Sequence, residues 1–144
     1  MPTRNASATW TGDLRSGKGS FSGESGAIGG DYSFGTRFGD AAGTNPEELL
    51  AAADAACFSM ALSGALAKAG MKPERIDTKA ACTIEKVGDG FKITGMKLEC
   101  VARVPGADRD AFKDIAEATK STCPVSTALM GNVEIELNAR LDES

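Results

Sequence analysis

Hydrophobic and polar positions change their period along the chain. Between Trp10 and Asp40, short alternating pieces such as Ser20-Phe21-Ser22 and Tyr32-Ser33-Phe34 are punctuated by Gly23 and Gly29-Gly30. This predicts two or three short strands joined by turns. Gly17-Lys18-Gly19 lacks the remainder of either phosphate-binding pattern and reads as a turn. From Asn45 to Gly70 the pattern becomes helical: Asn45 suits an N-cap, Pro46 the first helical position, Glu48 the third residue of a capping box, and Gly70 the C′ stop. The run from Leu49 to Leu62 carries almost no charge, so this helix, about 36 Å long, is apolar nearly all round and calls for burial. It is too Ala-rich to read as a membrane span, and a second copy of the chain is the simplest cover.

Period two returns after the helix. Ile76, Thr78, Ala80, Cys82 and Ile84 share one face, Gly88-Asp89-Gly90 forms a turn, and Phe91 and Ile93 lead back. Gly95 marks a bulge, after which Met96, Leu98, Cys100, Ala102 and Val104 resume the face. Asp108 to Lys120 reads as an amphipathic helix with Phe112, Ile115 and Ala116 inward. Cys123-Pro124 opens a short helix through Leu129, and Val133, Ile135 and Leu137 form a last strand. The fold class expected is α+β, with antiparallel sheets wrapped around long central helices in an intertwined homodimer, and residues 1–144 forming a single domain.

Composition narrows the chemistry. The 144 residues include no His, which excludes Ser-His-Asp and Cys-His catalysis and imidazole ligation. A net charge of -4 argues against a general attraction to nucleic acid or anionic membranes. Met1 to Ser7 lacks the pattern of a signal peptide, so a reducing, cytoplasmic setting is expected. Ten of the 17 glycines lie in the first 43 residues, in keeping with the short strands there.

Four cysteines remain: Cys57, Cys82, Cys100 and Cys123. None is spaced C-x-x-C, which argues against a cysteine-only zinc site, and no metal is expected. If Val87 pairs with Phe91, Cys82 lies opposite Met96 and Cys100 opposite Thr78 or Lys79. The two sulfurs are then roughly 10–13 Å apart, beyond disulfide reach, and both read as small core residues. Cys57, mid-helix, is either a core thiol or a reactive one. Cys123 is a candidate N-cap, where free N–H groups and the helix dipole favour a thiolate.

The run Gly43-Thr44-Asn45-Pro46-Glu47-Glu48-Leu49-Leu50 with Ala55-Ala56-Cys57-Phe58-Ser59-Met60-Ala61-Leu62 resembles the signature of the OsmC/Ohr family of thiol peroxidases. Cys123-Pro124-Val125-Ser126 is similar to the family's second cysteine motif, and Thr36-Arg37-Phe38 to the segment that supplies its arginine. Trp10-Thr11-Gly12-Asp13 and Arg15-Ser16-Gly17-Lys18-Gly19 resemble the OsmC branch. Asp54, one turn before Cys57, departs from the pattern. A carboxylate there disfavours a thiolate, so it is expected to point away.

The resemblance implies reduction of organic hydroperoxides to alcohols. Cys57 is then the attacking thiolate, and Cys123 resolves its sulfenic acid into a Cys57–Cys123 disulfide. No bound cofactor is implied. An external dithiol, dihydrolipoamide or a lipoylated protein, reopens the disulfide. With no His in the chain, a permanent cation is needed beside Cys57, and Arg37 matches that role, held by Glu47 through a bidentate pair. Glu47 and Cys57 are ten residues apart, about 15 Å along a helix. If Glu47 orients Arg37 at Cys57, at least one of the two comes from a partner subunit. Local physics favours Cys123 as the better thiolate, whereas the resemblance assigns the attack to Cys57. A non-catalytic redox sensor and a dimer binding a lipid-like ligand remain the competing readings.

Overall fold

The computed structural model describes residues 1–143. They divide into two compact units, Met1–Leu49 and residues 50–143. In the first, β1 (Ala6–Thr11), β2 (Lys18–Gly23) and β3 (Gly29–Tyr32) form an antiparallel sheet in that order. Gly19 is required where it stands: a Cβ there would lie 2.5 Å from the Tyr32 ring and 2.7 Å from the Trp10 ring. The alternation through Tyr32-Ser33-Phe34 does not continue as strand. The Ser33 hydroxyl accepts from the Thr36 N–H (3.2 Å) and the Thr36 hydroxyl oxygen accepts from the Ser33 N–H (2.9 Å). This reciprocal cap starts a one-turn helix, α1 (Phe34–Phe38).

Helix α2 (Pro46–Lys68) begins where expected. Asn45 Oδ1 accepts from the Glu48 N–H at 2.8 Å. The return half of the capping box differs, since the Glu48 carboxylate accepts from the Thr44 hydroxyl at 2.6 Å. Asn45 Nδ2 donates to the Thr36 carbonyl at 2.9 Å, which ties the start of α2 to α1.

Within the second unit α2 ends at Gly70, whose φ of +82° suits glycine. The Met71 N–H reaches the Leu66 carbonyl at 2.9 Å and the Gly70 N–H the Ala67 carbonyl at 3.0 Å, a Schellman stop. The helix is not buried all round. Asp54, Phe58, Leu62 and Leu66 form the buried stripe, while Ala52, Ala53, Ala56 and Met60 are exposed. By length and apolar composition alone α2 could cross a membrane, contrary to expectation, because alanines lengthen its apolar run and Asp54 is the one charge between Leu49 and Ala67. Its buried stripe is instead built into the protein core.

Strands β4 (Arg75–Val87) and β5 (Gly90–Arg103) make the expected hairpin. At its tip Val87 pairs with Gly90 rather than Phe91. The register shifts between Thr83 and Ile84, and the extra residue restores Cys82 opposite Met96 and Thr78 opposite Cys100. Helices α3 (Arg109–Lys120) and α4 (Pro124–Leu129) follow, and β6 (Glu134–Leu141) completes the sheet beside β5. This last pairing is parallel, a departure from the all-antiparallel expectation. The physical reason is the connection: two helices carry the chain back to the start of β5, as a parallel neighbour demands. Met96, Leu98, Cys100 and Ala102 of β5 meet Phe58, Leu62 and Leu66 of α2 and Phe112 and Ala116 of α3 in the core.

Candidate active site

Helices α2 and α4 bring the motif cysteines together within the second unit. Cys57 lies in the middle of α2 and Cys123 is the N-cap residue of α4. Their sulfurs are 2.9 Å apart and both thiols are free. Cys123 is 0% exposed, whereas Cys57 is only half-buried. A solute can therefore approach Cys57 and not Cys123. Although Cys123 holds the N-cap position, its side chain makes no capping hydrogen bond. The opening of α4 serves the other sulfur, because the Val125 N–H hydrogen-bonds to Cys57 and favours its thiolate. The local argument that favoured Cys123 thus transfers its donor to Cys57.

That donor does not prevail within one chain. Burial pushes the Cys57 thiol above its ordinary range. The hydrogen bond shared with Cys123 adds to this, and the nearby charges of Cys123 and Asp54 act in the same direction. None of these influences is a cation.

Asp54 does not point away. It is 0% exposed. Its Oδ1 accepts from the Ser126 hydroxyl at 2.7 Å and lies 3.7 Å from Cys123 Sγ, which donates to it. Oδ2 is buried without a hydrogen-bond partner. The reason is helical spacing: residues three apart share a face, so the face that presents Cys57 to α4 presents Asp54 as well. Reading the sequence missed Asp54, Ser126 and the Val125 N–H as a group. The available signal was a lone charge in an otherwise uncharged helical stretch.

A second cluster lies in the first unit. Arg37, in α1, donates from Nε to Glu47 Oε1 at 2.8 Å and from Nη2 to Oε2 at 3.2 Å. This is the expected bidentate pair, and it forms within one chain. The Glu47 side chain is 7% exposed and that of Arg37 34%, so the carboxylate anchors a guanidinium that still faces outward. Arg37 also lies over the Phe38 ring, 5.3 Å from its centroid. Sequence alternation placed Arg37 among strands, whereas the Ser33 cap puts it on a helix. Cys82 and Cys100 remain on the hairpin, and burial pushes the Cys100 thiol up.

A family profile described as OsmC-like protein matches residues 39–138. The chain belongs to the OsmC-like family. It is 46% identical over 134 residues to Peroxiredoxin OsmC of Escherichia coli (strain K12), covering 92% of this chain and 94% of that protein. It is 33% identical over 96 residues to the Organic hydroperoxide resistance protein of Xanthomonas axonopodis pv. citri (strain 306), covering 66% of each. Among solved structures, the organic hydroperoxide resistance protein from Elizabethkingia anophelis superposes with a TM-score of 0.74 at 28% identity, over 98% of this chain and 99% of that one. OhrB of Bacillus subtilis gives 0.72 at 26% identity, over 94% and 98%. The OsmC-like match takes in both cysteines, Glu47 and Asp54, while Arg37 lies just before it.

Proposed function

We propose that this OsmC-like chain is a cysteine-based peroxidase that reduces organic hydroperoxides to alcohols. The observation that carries the reading is the pair of free sulfurs 2.9 Å apart, one half-buried and one fully buried. The names of its relatives, a peroxiredoxin and organic hydroperoxide resistance proteins, support the same chemistry. The Cys57 thiolate attacks the distal peroxide oxygen. The S–O bond forms as the O–O bond breaks, the alkoxide takes a proton and leaves as alcohol, and sulfur is oxidised by two electrons to the sulfenic acid. Cys123 then displaces water to give the Cys57–Cys123 disulfide, which an external dithiol such as dihydrolipoamide, free or on a lipoylated protein, reduces. A cytoplasmic setting suits that donor.

A second copy of the chain supplies the cation that the Cys57 thiolate calls for. In a homodimer, the partner subunit's Arg37, held by the partner's Glu47, lowers the Cys57 thiol and donates to the developing alkoxide. The exposed Ala52, Ala53, Ala56 and Met60 of α2 supply an apolar face for that association.

Single-turnover chemistry tests the assignment. Cys57→Ser is expected to abolish turnover. Cys123→Ser is expected to consume about one equivalent of peroxide and stop at a sulfenic acid that dimedone traps. Single turnover in Cys57→Ser but not in Cys123→Ser would reverse the roles. Steady turnover of cumene hydroperoxide with dihydrolipoamide separates the peroxidase from a slow redox sensor and from a lipid-binding dimer.

A further inference from the structure

Asp54 has no use in the peroxide step and works against it, since its charge raises the Cys57 thiol. Nor does it look like a structural acid. Buried polar atoms are nearly always hydrogen-bonded, yet its Oδ2 is buried and bare. No salt bridge among the described residues includes it. The Ser126 hydroxyl fixes Oδ1 at 2.7 Å, and Ser126 stands on α4, three residues after Cys123. The carboxylate is thereby held in register with Cys123 Sγ, 3.7 Å away. Cys123 is 0% exposed, so its proton has no direct exit to bulk water. A buried resolving thiol needs an acceptor inside the protein, and Asp54 is the carboxylate in contact with it.

We propose that Asp54 is the catalytic base of disulfide closure, a reading that rests on the peroxidase assignment of Cys57 and Cys123. As Cys123 Sγ attacks Cys57 Sγ, its proton passes to Asp54 Oδ1. The S–S bond forms, the S–O bond of the sulfenic acid breaks, and the departing hydroxide takes the proton back from the carboxyl to leave as water. Cys123 sulfur is oxidised by one electron and Cys57 sulfur reduced by one, so no further oxidant is needed. The carboxylate ends as it began.

The proposal predicts opposite effects on consecutive steps. Asp54→Asn keeps an oxygen for Ser126 but removes both base and charge. With cumene hydroperoxide and rapid quench, alcohol release is expected to become faster, because the charge opposing the Cys57 thiolate is gone. Disulfide closure is expected to slow by about 10²-fold, the lower end of the range for general-base catalysis, with dimedone-trappable Cys57 sulfenic acid accumulating. Closure at the wild-type rate, or equal slowing of both steps, would overturn the proposal. Should Asp54→Asn fail to fold, the wild-type closure rate decides. Cys57 on its own helix and Cys123 on α4 are ionisable groups that face Asp54. An internal base makes closure nearly flat between about pH 6.5 and 8. A thiol that loses its proton to water closes about tenfold faster per pH unit below its ordinary range, and that slope in wild type would also overturn the proposal. A wild-type protein that releases no alcohol fails the peroxidase reading itself, before any Asp54 variant is made.

Discussion

Cys57 is held between opposing influences from its neighbours. Burial, Cys123 and Asp54 push its thiol up, and one N–H from Val125 pulls it down. A thiolate at neutral pH therefore needs a stronger donor, and in the proposed dimer that donor is Arg37. The bidentate grip of Glu47 uses the Nε and Nη2 edge of the guanidinium and sets the direction of the rest. Lysine keeps the charge but not the planar fork. Arg37→Lys is expected to lower kcat/KM for cumene hydroperoxide by about 10²–10³-fold, the loss typical of one transition-state donor. Near-native kcat/KM in that variant would reduce Arg37 to a surface charge.

At the scale of elements, the start of α2 is the hinge of the arrangement. Asn45 caps the Glu48 N–H with its oxygen and holds the Thr36 carbonyl with its amide. One side chain thereby joins α1, which carries Arg37, to the turn that carries Glu47. Asn45→Ala is expected to lower stability by about 1 kcal/mol, as loss of an N-cap does. Urea denaturation of the reduced protein measures it, and an unchanged midpoint would show that the cap carries no weight. The same helix presents Asp54 and Cys57 to α4 from one face, because positions three apart are neighbours. A sequence reading that places the helix correctly still leaves open which neighbour each face meets. For that reason the expectation that Asp54 pointed away failed while the helix bounds held.

On the scale of the whole molecule, the single chain leaves a long apolar surface uncovered. Met60, near the middle of α2, is 81% exposed, and Ala52, Ala53 and Ala56 are exposed with it. Glu47 and Cys57 are separated by ten residues of α2, about 15 Å of helical rise, so the proposed meeting of Arg37 with Cys57 joins two subunits. Mixing Cys57→Ser chains with Glu47→Gln chains under conditions of subunit exchange is expected to restore activity, with one intact site per heterodimer. Absence of recovery despite demonstrated exchange, or a fully active monomer, would sink the shared site.

What the sequence determined by itself is local. The N-cap at Asn45, the stop at Gly70, the β4–β5 hairpin with its bulge and the two C-terminal helices follow from offsets of a few residues, and the cysteine motifs carried the family. Their signals lie within the segments that they shape. The tertiary structure decided what depends on distant partners. The parallel seat of β6 follows from the helices that return the chain. The turn of Asp54 towards Cys123 follows from which face of α2 meets α4. The gift of the Val125 N–H to Cys57 follows from where α4 opens. Each is set by packing between segments far apart in the chain, a relation that no local period encodes.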